Sequence, residues 1–238
     1  EANVEPQGAP VTVDMAFDSV VNLLSAGPPL ATSPSYPTKF WEYLRAWGAT
    51  WMWDSFHLDD PSSADLTWLV EAVKNDTTVW VADGSYDRKR ASTVSGAGWI
   101  VHCSATNRRL SCSFYEHSPA ASSYCAELLG LCAIHLFLLA ITTFYDLPRS
   151  HTSIHCDNKG ALGQSSWRRR RVRTGAACAD LLRCLRSTKL ELDVDVAYSH
   201  VNSHMDRLLL WHQLTLVQQL NCICDSLAKT AVHRSLCM

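Results

Sequence analysis

The sequence predicts an α/β fold with one mixed five-stranded sheet flanked by helices and a helical preface on its N-terminal side. Three observations support this prediction. Residues 79–117 contain three strand-like runs separated by polar turns, a long apolar stretch of helical length follows, and the remaining chain alternates between strand and helix. Antiparallel strands followed by β-α-β-α units are typical of one mixed sheet with helices on its faces.

The first third of the chain is predicted to lie outside the sheet. Residues 1–39 contain two proline clusters, "AGPPL" and "SPSYP", which indicate a mostly extended linker. Residues 40–77 form a helical preface, because the apolar residues in "FWEYLRAWGATWMWDSF" and "SADLTWLVEAVKN" recur at helical spacing. The main domain is therefore predicted over residues 78–238.

The sheet is predicted to begin with an antiparallel meander. "TVWVA" is an apolar run typical of a strand buried on both faces, and "GAGWIVHC" and "RLSCSFY" follow as two further strands around the polar turn "SATNR". The long helix that comes next runs from about Ser123 to Tyr145. Its apolar core, Leu128 to Phe144, is shorter than the roughly 20 residues of a membrane span, so we expect a buried central helix and no membrane partner.

The parallel part of the sheet is predicted from the second half of the chain. Strand "TSIHC" is followed by a turn or short helix over residues 158–163 and a helix around "GAACADLLRCLRS". Strand "LDVDVAY", a polar loop and a final helix through "LVQQLNCICDSLAKTAV" complete the domain. Functional sites in such sheets collect where the strands end.

Composition and cysteine usage indicate an intracellular protein, nuclear or cytoplasmic. Of 238 residues 47% are hydrophobic, which is ample for a core. The ten cysteines form no C-x-x-C pair and several lie in apolar runs, so we expect buried thiols in a reducing compartment. The chain opens without a secretory signal and without methionine, as expected for a segment of a longer protein.

Charge is divided unevenly along the chain. Residues 1–78 hold three basic and eleven acidic side chains, whereas residues 79–238 hold eighteen basic and twelve acidic ones. The second part is therefore the better partner for a polyanion such as a nucleic acid.

Two acids follow apolar strands. Asp83 ends the first strand before Gly84, and Asp157 ends the fourth before Asn158. Each acid alone could serve as a turn or helix cap. If the topology is right, however, both carboxylates leave adjacent parallel strands at the same edge of the sheet.

Two further acids lie on helices. Glu127 is near the start of the long helix, one position beyond a capping box if Ser123 is the N-cap, and it falls beside the apolar stripe. Asp225 lies in the last helix, where Asn221, Asp225 and Lys229 could equally form a solvent-facing stripe. Four carboxylates gathered on one sheet would repel each other unless a cation held them, and oxygen ligands suit Mg²⁺ or Mn²⁺. Such a cage fits a two-metal site for phosphodiester hydrolysis.

Five motifs carry a family resemblance. In chain order they are "ADGSY", "SSYCAELLG", "IHCDNKGAL", "HVNSHMD" and "QLNCICDSLAK". Together they resemble the motifs of ribonuclease H, and more narrowly the version fused to reverse transcriptases of retroelements, over about residues 78–232. The resemblance implies a ribonuclease H-like fold and a reverse transcriptase domain in the same polyprotein. It also implies two Mg²⁺ ions, replaceable by Mn²⁺, held by four acids: Asp83, Glu127, Asp157 and Asp225.

The resemblance also implies a catalytic role for His204, as the mobile histidine that assists catalysis or product departure; without the motif it would be an ordinary loop histidine. Two positions depart from the family pattern. Ser203 stands where a glycine is common, which reduces the backbone freedom of that loop. Cys125 stands where relatives commonly carry arginine, which puts a substrate or structural contact in doubt.

The densest charge in the chain is "WRRRRVR", residues 167–173, about ten residues after the Asp157 motif. Arg168, Arg169, Arg170 and Arg171 are candidate phosphate contacts, although a solvated loop or an import signal would have the same composition. Reading the 2′-hydroxyls of an RNA strand needs small polar groups. The candidates by position are Ser85, Ser122, Ser123 and Asn158.

The sequence therefore predicts a Mg²⁺-dependent endoribonuclease that cleaves the RNA strand of RNA/DNA hybrids. Two alternatives remain open at this level. One is a noncatalytic nucleic-acid-binding scaffold beside a polymerase. The other is a proofreading exonuclease on the same fold, which would typically carry a second acid two residues after the first, where this chain has Ser85.

Overall fold

The computed structural model describes residues 39–47, 50–53, 55–58, 66–166, 172–173 and 175–237. Residues 1–38 of the predicted linker, which was expected to end at residue 39, and the arginines at positions 168–171 lie outside these ranges. The helices are α1 (Phe40–Ala46), α2 (Thr67–Lys74), α3 (Ser123–Phe144), α4 (Lys159–Ser166), α5 (Ala179–Glu191) and α6 (Leu216–Leu236). The strands are β1 (Phe56–Leu58), β2 (Thr78–Ser85), β3 (Val94–Cys103), β4 (Arg109–His117), β5 (Ser150–Cys156) and β6 (Val194–His200).

All six strands form one mixed sheet in the order β1-β4-β3-β2-β5-β6. Strand β2 pairs antiparallel with β3 and parallel with β5, and β5 pairs parallel with β6. This arrangement confirms the predicted α/β architecture, with a mixed sheet of one meander and two parallel strands. The sixth strand, β1, is a correction to the prediction, since the preface was expected to be helical only.

Alternate side chains of β2 face the two sides of the sheet. Trp80 and Ala82 are buried in the large core beneath α3, whereas Val81 is buried with Ile100 and Leu220 beneath α6. A strand covered by helices on both faces needs apolar residues at every position, which explains the continuous apolar run. The two helices that carry Glu127 and Asp225 therefore lie on opposite faces of β2.

Helix α3 is the central core helix. It is long and apolar enough to cross a membrane by length and composition alone, but its apolar window is wholly buried inside the fold. Every residue from Cys125 to Thr142 is buried. This burial confirms the expectation of a buried central helix.

The preface packs directly on the main domain. The ring centroids of Phe40 and Phe56 lie 5.5 and 5.6 Å from that of Phe137 in α3. Trp99 of β3 completes this aromatic cluster, with its ring centroid 5.1 Å from that of Phe137. Strand β1 adds to the sheet by pairing Phe56 with Cys112 of β4. Residues 40–58 thus contribute to the core and to one edge of the sheet.

Candidate active site

Parallel pairing brings Asp83 and Asp157 to one edge of the sheet. Val81 of β2 lies opposite His155 of β5, so the acids two residues further along each strand leave side by side. Asp83 is 4% exposed and Asp157 is partly buried. The structure therefore brings these two predicted site residues together as expected.

Glu127 joins them because β2 and α3 approach closely at Gly84. A Cβ atom at Gly84 would lie only 2.4 Å from the backbone nitrogen of Glu127, so glycine alone permits this contact. Ser122 rather than Ser123 is the N-cap of α3, its hydroxyl accepting a hydrogen bond from the Cys125 amide at 3.1 Å. Glu127 is consequently one residue deeper in the helix than predicted, and it is 5% exposed.

Asp225 is brought in from the opposite face by α6. A Cβ at Gly98 of β3 would lie 2.6 Å from the carbonyl oxygen of Cys224, so a second glycine allows α6 to approach the sheet. Lys229 forms an ion pair with Asp225, with 2.5 Å between Nζ and Oδ2. The helical ion pair considered from the sequence is therefore present. Its Asp225 also belongs to the acid group, which consists of Asp83, Glu127, Asp157 and Asp225.

Asn221 is a site residue that the sequence did not reveal. Its side-chain amide donates a hydrogen bond to Oδ2 of Asp83 at 3.1 Å, and it is 2% exposed. The spacing to Asp225 and Lys229 indicated only a shared face, which could equally have been a solvent-facing stripe. Its buried position depends on the packing of α6 against β2, which the spacing does not encode.

Cys156 is a second residue that the sequence did not single out. Its thiol lies immediately before Asp157 and donates to Oε2 of Glu127 at 3.4 Å. Burial, followed by the negative charge of Glu127, raises the pKa of the Cys156 thiol well above its usual value, so it remains a proton donor. Potential ligand atoms of Glu127, Cys156 and Asp157 all lie within 4.8 Å of one another.

Burial and mutual repulsion dominate the electrostatics of the acids. Burial, and then the charges of Asp157 and Asp225, raise the pKa of Asp83 to about 8. Burial and the charges of Asp83 and Asp157 raise the pKa of Glu127 well above its usual value. Burial likewise raises the pKa of Asp157. Carboxylates held this close are unfavourable without a counter-cation.

This donor set fits a divalent cation. The four carboxylates offer oxygen ligands from two strand ends and two helices. The pKa values of Asp83, Glu127 and Asp157 are raised, first by burial and then by neighbouring carboxylates, and a bound cation would offset both effects. The Lys229 ammonium at this edge is already paired with Asp225. The residues at this edge can therefore hold a metal ion.

His204 lies at the rim of the acid group. Its Nδ1 is 3.9 Å from Oδ2 of Asp225 and its side chain is 45% exposed. Its backbone is left-handed, with φ at 51°, so the strained residue of this loop is the histidine rather than Ser203 before it. His200 opens the motif "HVNSHMD", which assigned a role only to His204, and it donates from Nε2 to the carbonyl oxygen of Asp157 at 2.9 Å.

The predicted nucleic-acid contacts divide into three groups. Ser122 caps α3, and Asn158 accepts a hydrogen bond from the Ala161 amide at 3.0 Å, so both have local structural roles beside the site. Ser85 ends β2 and Ser123 begins α3, next to the acids. Four arginines, Arg168, Arg169, Arg170 and Arg171, lie outside the described residues.

The structure corrects the expectation that every cysteine is a thiol. Cys125 in the first turn of α3 and Cys178 at the N-terminus of α5 form a disulfide across 53 residues. Spacing in the sequence gave no indication of this pair, because the two residues meet only through the packing of α5 against α3. Cys125 is the position at which the chain departs from the arginine common in relatives.

Solved structures to which the chain is similar include ribonuclease H proteins and a viral protease-reverse transcriptase. An N-terminal ribonuclease H domain from Mycobacterium tuberculosis shares 16% identity over 66% of this chain and 94% of that one, with a TM-score of 0.45. LC11-RNase H1 in complex with an RNA/DNA hybrid shares 14% identity over 67% and 99%, with a TM-score of 0.48. The prototype foamy virus protease-reverse transcriptase shares 13% over 68% and 21%, with a TM-score of 0.48.

Because each of these TM-scores lies below 0.5 and each identity below 25%, the chemistry is argued from the site itself. No protein-family model matches the sequence, and no curated protein matches it.

Proposed function

We propose that the chain is a metal-dependent endoribonuclease that cleaves the RNA strand of RNA/DNA hybrids. The observation that carries this proposal is the convergence of Asp83, Glu127, Asp157 and Asp225 at one edge of the sheet, from two strand ends and two helices. Burying like charges is costly, and a fold has no structural use for four of them in one place. Their order along the chain, within five motifs that resemble ribonuclease H, supports the same reaction.

The four acids would hold Mg²⁺, with Mn²⁺ as a substitute, in a two-ion arrangement. When bound, such ions activate water and stabilise the leaving oxygen of a phosphodiester. The role of the protein is to position the carboxylates that would bind these ions. Asn221 fixes one oxygen of Asp83 through the 3.1 Å hydrogen bond, and His200 holds the backbone at Asp157 through its contact of 2.9 Å.

His204 is proposed to handle protons at the rim. Its exposed ring, close to Asp225, offers a nitrogen that can accept or supply a proton as the cleaved strand leaves. Its left-handed backbone lies in a loop between β6 and α6, a connection that can change conformation more easily than the strands can.

Substrate recognition is proposed to use three kinds of group. Ser85, Ser122, Ser123 and Asn158 lie beside the acids and offer small polar contacts for the 2′-hydroxyls of the RNA strand. Arg168 to Arg171 would neutralise phosphates. We also propose, from the sequence resemblance alone, an intracellular retroelement polyprotein in which a reverse transcriptase domain accompanies this one.

The test is cleavage of a labelled RNA/DNA hybrid, with duplex RNA and duplex DNA as substrate controls, in Mg²⁺ and in EDTA. The wild type should cut the RNA strand of the hybrid only when Mg²⁺ is present, leaving 3′-hydroxyl and 5′-phosphate ends, and Asp157→Asn should not cut it. The matched control is Asp193→Asn, an exposed acid near the edge strand β6, which should cleave like the wild type. If folded protein binds hybrid and leaves it intact in both Mg²⁺ and Mn²⁺, the scaffold function replaces the nuclease.

The arginine run has a separate test. Neutralising Arg168 to Arg171 with glutamine should weaken hybrid binding and flatten the dependence of log affinity on log salt concentration, because each phosphate contact releases counterions. An unchanged salt slope would remove these residues from the proposed interface and leave the catalytic proposal intact.

A further inference from the structure

We propose that Glu127, Cys156 and Asp157 form a zinc-binding site within the acid group, at which Zn²⁺ competes with Mg²⁺ and prevents cleavage. The site itself rests on the geometry of these three side chains, whereas its effect on cleavage rests on the function proposed above. Cys156 ends β5 directly before Asp157, so a sulfur ligand lies beside two oxygen ligands. A site for Mg²⁺ alone has no use for this sulfur.

The spacing of the three side chains is that of metal ligands. Their potential ligand atoms all lie within 4.8 Å of one another, and the sulfur of Cys156 lies 3.4 Å from Oε2 of Glu127. In a tetrahedral zinc site, bonds of about 2.3 Å to sulfur and about 2.1 Å to oxygen place these two ligands about 3.5 Å apart. The sulfur and the carboxylate oxygen therefore already have the separation that zinc requires.

The surroundings of the Cys156 sulfur differ from those of two other buried thiols. Cys112 and Cys224 donate hydrogen bonds to backbone carbonyl oxygens at 3.2 and 3.3 Å. Cys156 donates instead to the carboxylate of Glu127, and its sulfur accepts a hydrogen bond from the Asn158 amide at 3.4 Å. Hydrogen bonds to a ligating atom support metal binding, so this sulfur has the partners of a ligand as well as those of a core thiol.

The site is held by the core on one side and reached from the other. Cys156 and Glu127 are 0% and 5% exposed, so their positions are fixed by packing, whereas Asp157 is only partly buried. His200 donates to the carbonyl oxygen of Asp157 at 2.9 Å and so steadies the backbone there. An ion can therefore enter past Asp157 and meet two ligands that are already in place.

Zinc is the divalent cation that this mixed donor set fits. Mg²⁺ takes oxygen ligands in an octahedral arrangement, whereas Zn²⁺ binds thiolate sulfur and carboxylate oxygen tetrahedrally. Binding forms a zinc–sulfur bond and releases the thiol proton of Cys156, because the thiolate is the form that binds metal. A zinc ion held here uses the carboxylates of Glu127 and Asp157, which the two Mg²⁺ ions also need. The two metals therefore exclude each other.

The first measurement is metal binding without substrate, which does not depend on cleavage. The metal-free full chain is titrated with Cd²⁺, an analogue of Zn²⁺ whose bond to a thiolate absorbs in the ultraviolet. The wild type should show this absorption at one equivalent of Cd²⁺, and either Zn²⁺ or excess Mg²⁺ should remove it. A wild type that lacks the thiolate absorption would overturn the proposal.

Three variants assign the absorption to its ligands. Cys156→Ser keeps a hydroxyl that can donate to Glu127, but it should lose the absorption and bind Zn²⁺ at least about tenfold more weakly, the loss already expected when a group that only supports a metal ligand is removed. Glu127→Gln keeps the sulfur and should also bind Zn²⁺ more weakly. Cys237→Ser, the matched control, removes an exposed thiol and should behave like the wild type. Circular dichroism checks the fold of each variant. Absorption retained by folded Cys156→Ser, or unchanged zinc affinity in Glu127→Gln, would contradict the assignment.

The second measurement is cleavage of the hybrid in Mg²⁺ with increasing Zn²⁺. The wild type and Cys237→Ser should be inhibited, and added Mg²⁺ should restore their rates. Cys156→Ser, compared with its own rate in Mg²⁺ alone, should need at least about tenfold more Zn²⁺ for the same inhibition. Zinc binding that leaves cleavage by the wild type unchanged would overturn the competition. Absence of cleavage in every sample, with the cadmium–thiolate absorption retained, would instead contradict the nuclease function alone.

Discussion

Two buried regions make opposite contributions to stability. One is the aromatic cluster of the preface, and the other is the acid edge, the edge of the sheet where Asp83, Glu127, Asp157 and Asp225 meet. At the aromatic cluster Phe40, Phe56 and Trp99 surround Phe137, and each ring removed from water stabilises the fold under all conditions. At the acid edge, burial raises the pKa values of Asp83 and Glu127, which means that their charged forms are unfavourable there. The aromatic cluster therefore stabilises the fold, whereas the acid edge destabilises it and keeps carboxylates in place for a ligand.

The largest expected effect separates stability from activity at the acid edge. Asp83→Asn removes a carboxylate that the proposed ions need, so cleavage should fall by about a thousandfold, equivalent to about 4 kcal/mol in the activation barrier. The same change removes buried charge, so the metal-free protein should become more stable near pH 8, by on the order of 2 kcal/mol. Cleavage rates and thermal unfolding in EDTA measure the two effects. A loss of metal-free stability would contradict the comparison.

The aromatic cluster should respond in the opposite way. Phe137→Ala leaves a cavity among the surrounding rings and should lower the free energy of unfolding by about 3 to 5 kcal/mol, with or without Mg²⁺. Urea unfolding in EDTA and in Mg²⁺ tests this prediction. Phe137→Leu is the conservative control and should cost less, because it fills more of the space. A destabilisation that appears only in EDTA would show that the two regions are coupled.

The close contact between Gly84 and α3 should affect both stability and cleavage. Gly84→Ala forces a methyl group against the backbone of α3, so we expect a loss of about 1 to 3 kcal/mol in unfolding free energy together with reduced cleavage. The control is Gly163→Ala in α4, where a Cβ meets nothing within 4 Å. That change should preserve activity and stabilise slightly, since alanine favours the helix. Unfolding curves and cleavage rates measured for both variants test this prediction.

The last expected effect is the pH dependence of the metal-free protein. The folded-state pKa of Asp83 is about 8, above the ordinary value of 3.8, so the folded protein binds more protons than the unfolded chain between these values. Stability in EDTA should therefore be highest below about pH 4 with respect to this group and should fall as pH rises towards 8. Saturating Mg²⁺ should flatten this slope, and Asp83→Asn should reduce it. Unfolding curves across the pH range provide the measurement.

The sequence was most informative where one short motif carried both the strand and the acid. Asp83 and Asp157 end apolar runs, so their meeting follows once β2 and β5 are parallel neighbours. The meander, the central helix and the position of Asp225 in the last helix were predictable for the same reason, because each is marked by local periodicity.

The missed features depend on contacts between distant segments. Strand β1 has only three residues and becomes a strand by pairing with β4, more than fifty positions away. Asn221 is buried because α6 approaches the sheet at Gly98, and the Cys125–Cys178 bond depends on how α5 packs on α3. Residue spacing within one element cannot encode such distances, even when every element is assigned correctly.

The placement of α6 has a consequence for synthesis on the ribosome. Until residues 216–236 have emerged, Val81 and Ile100 lack the cover that α6 provides, and three of the four acids are present without the fourth. The ribosome on which the chain grows contains RNA, the polymer that the proposed site would cleave. A growing chain of this protein therefore carries an incomplete acid set until α6 has emerged, and this helix then completes the site.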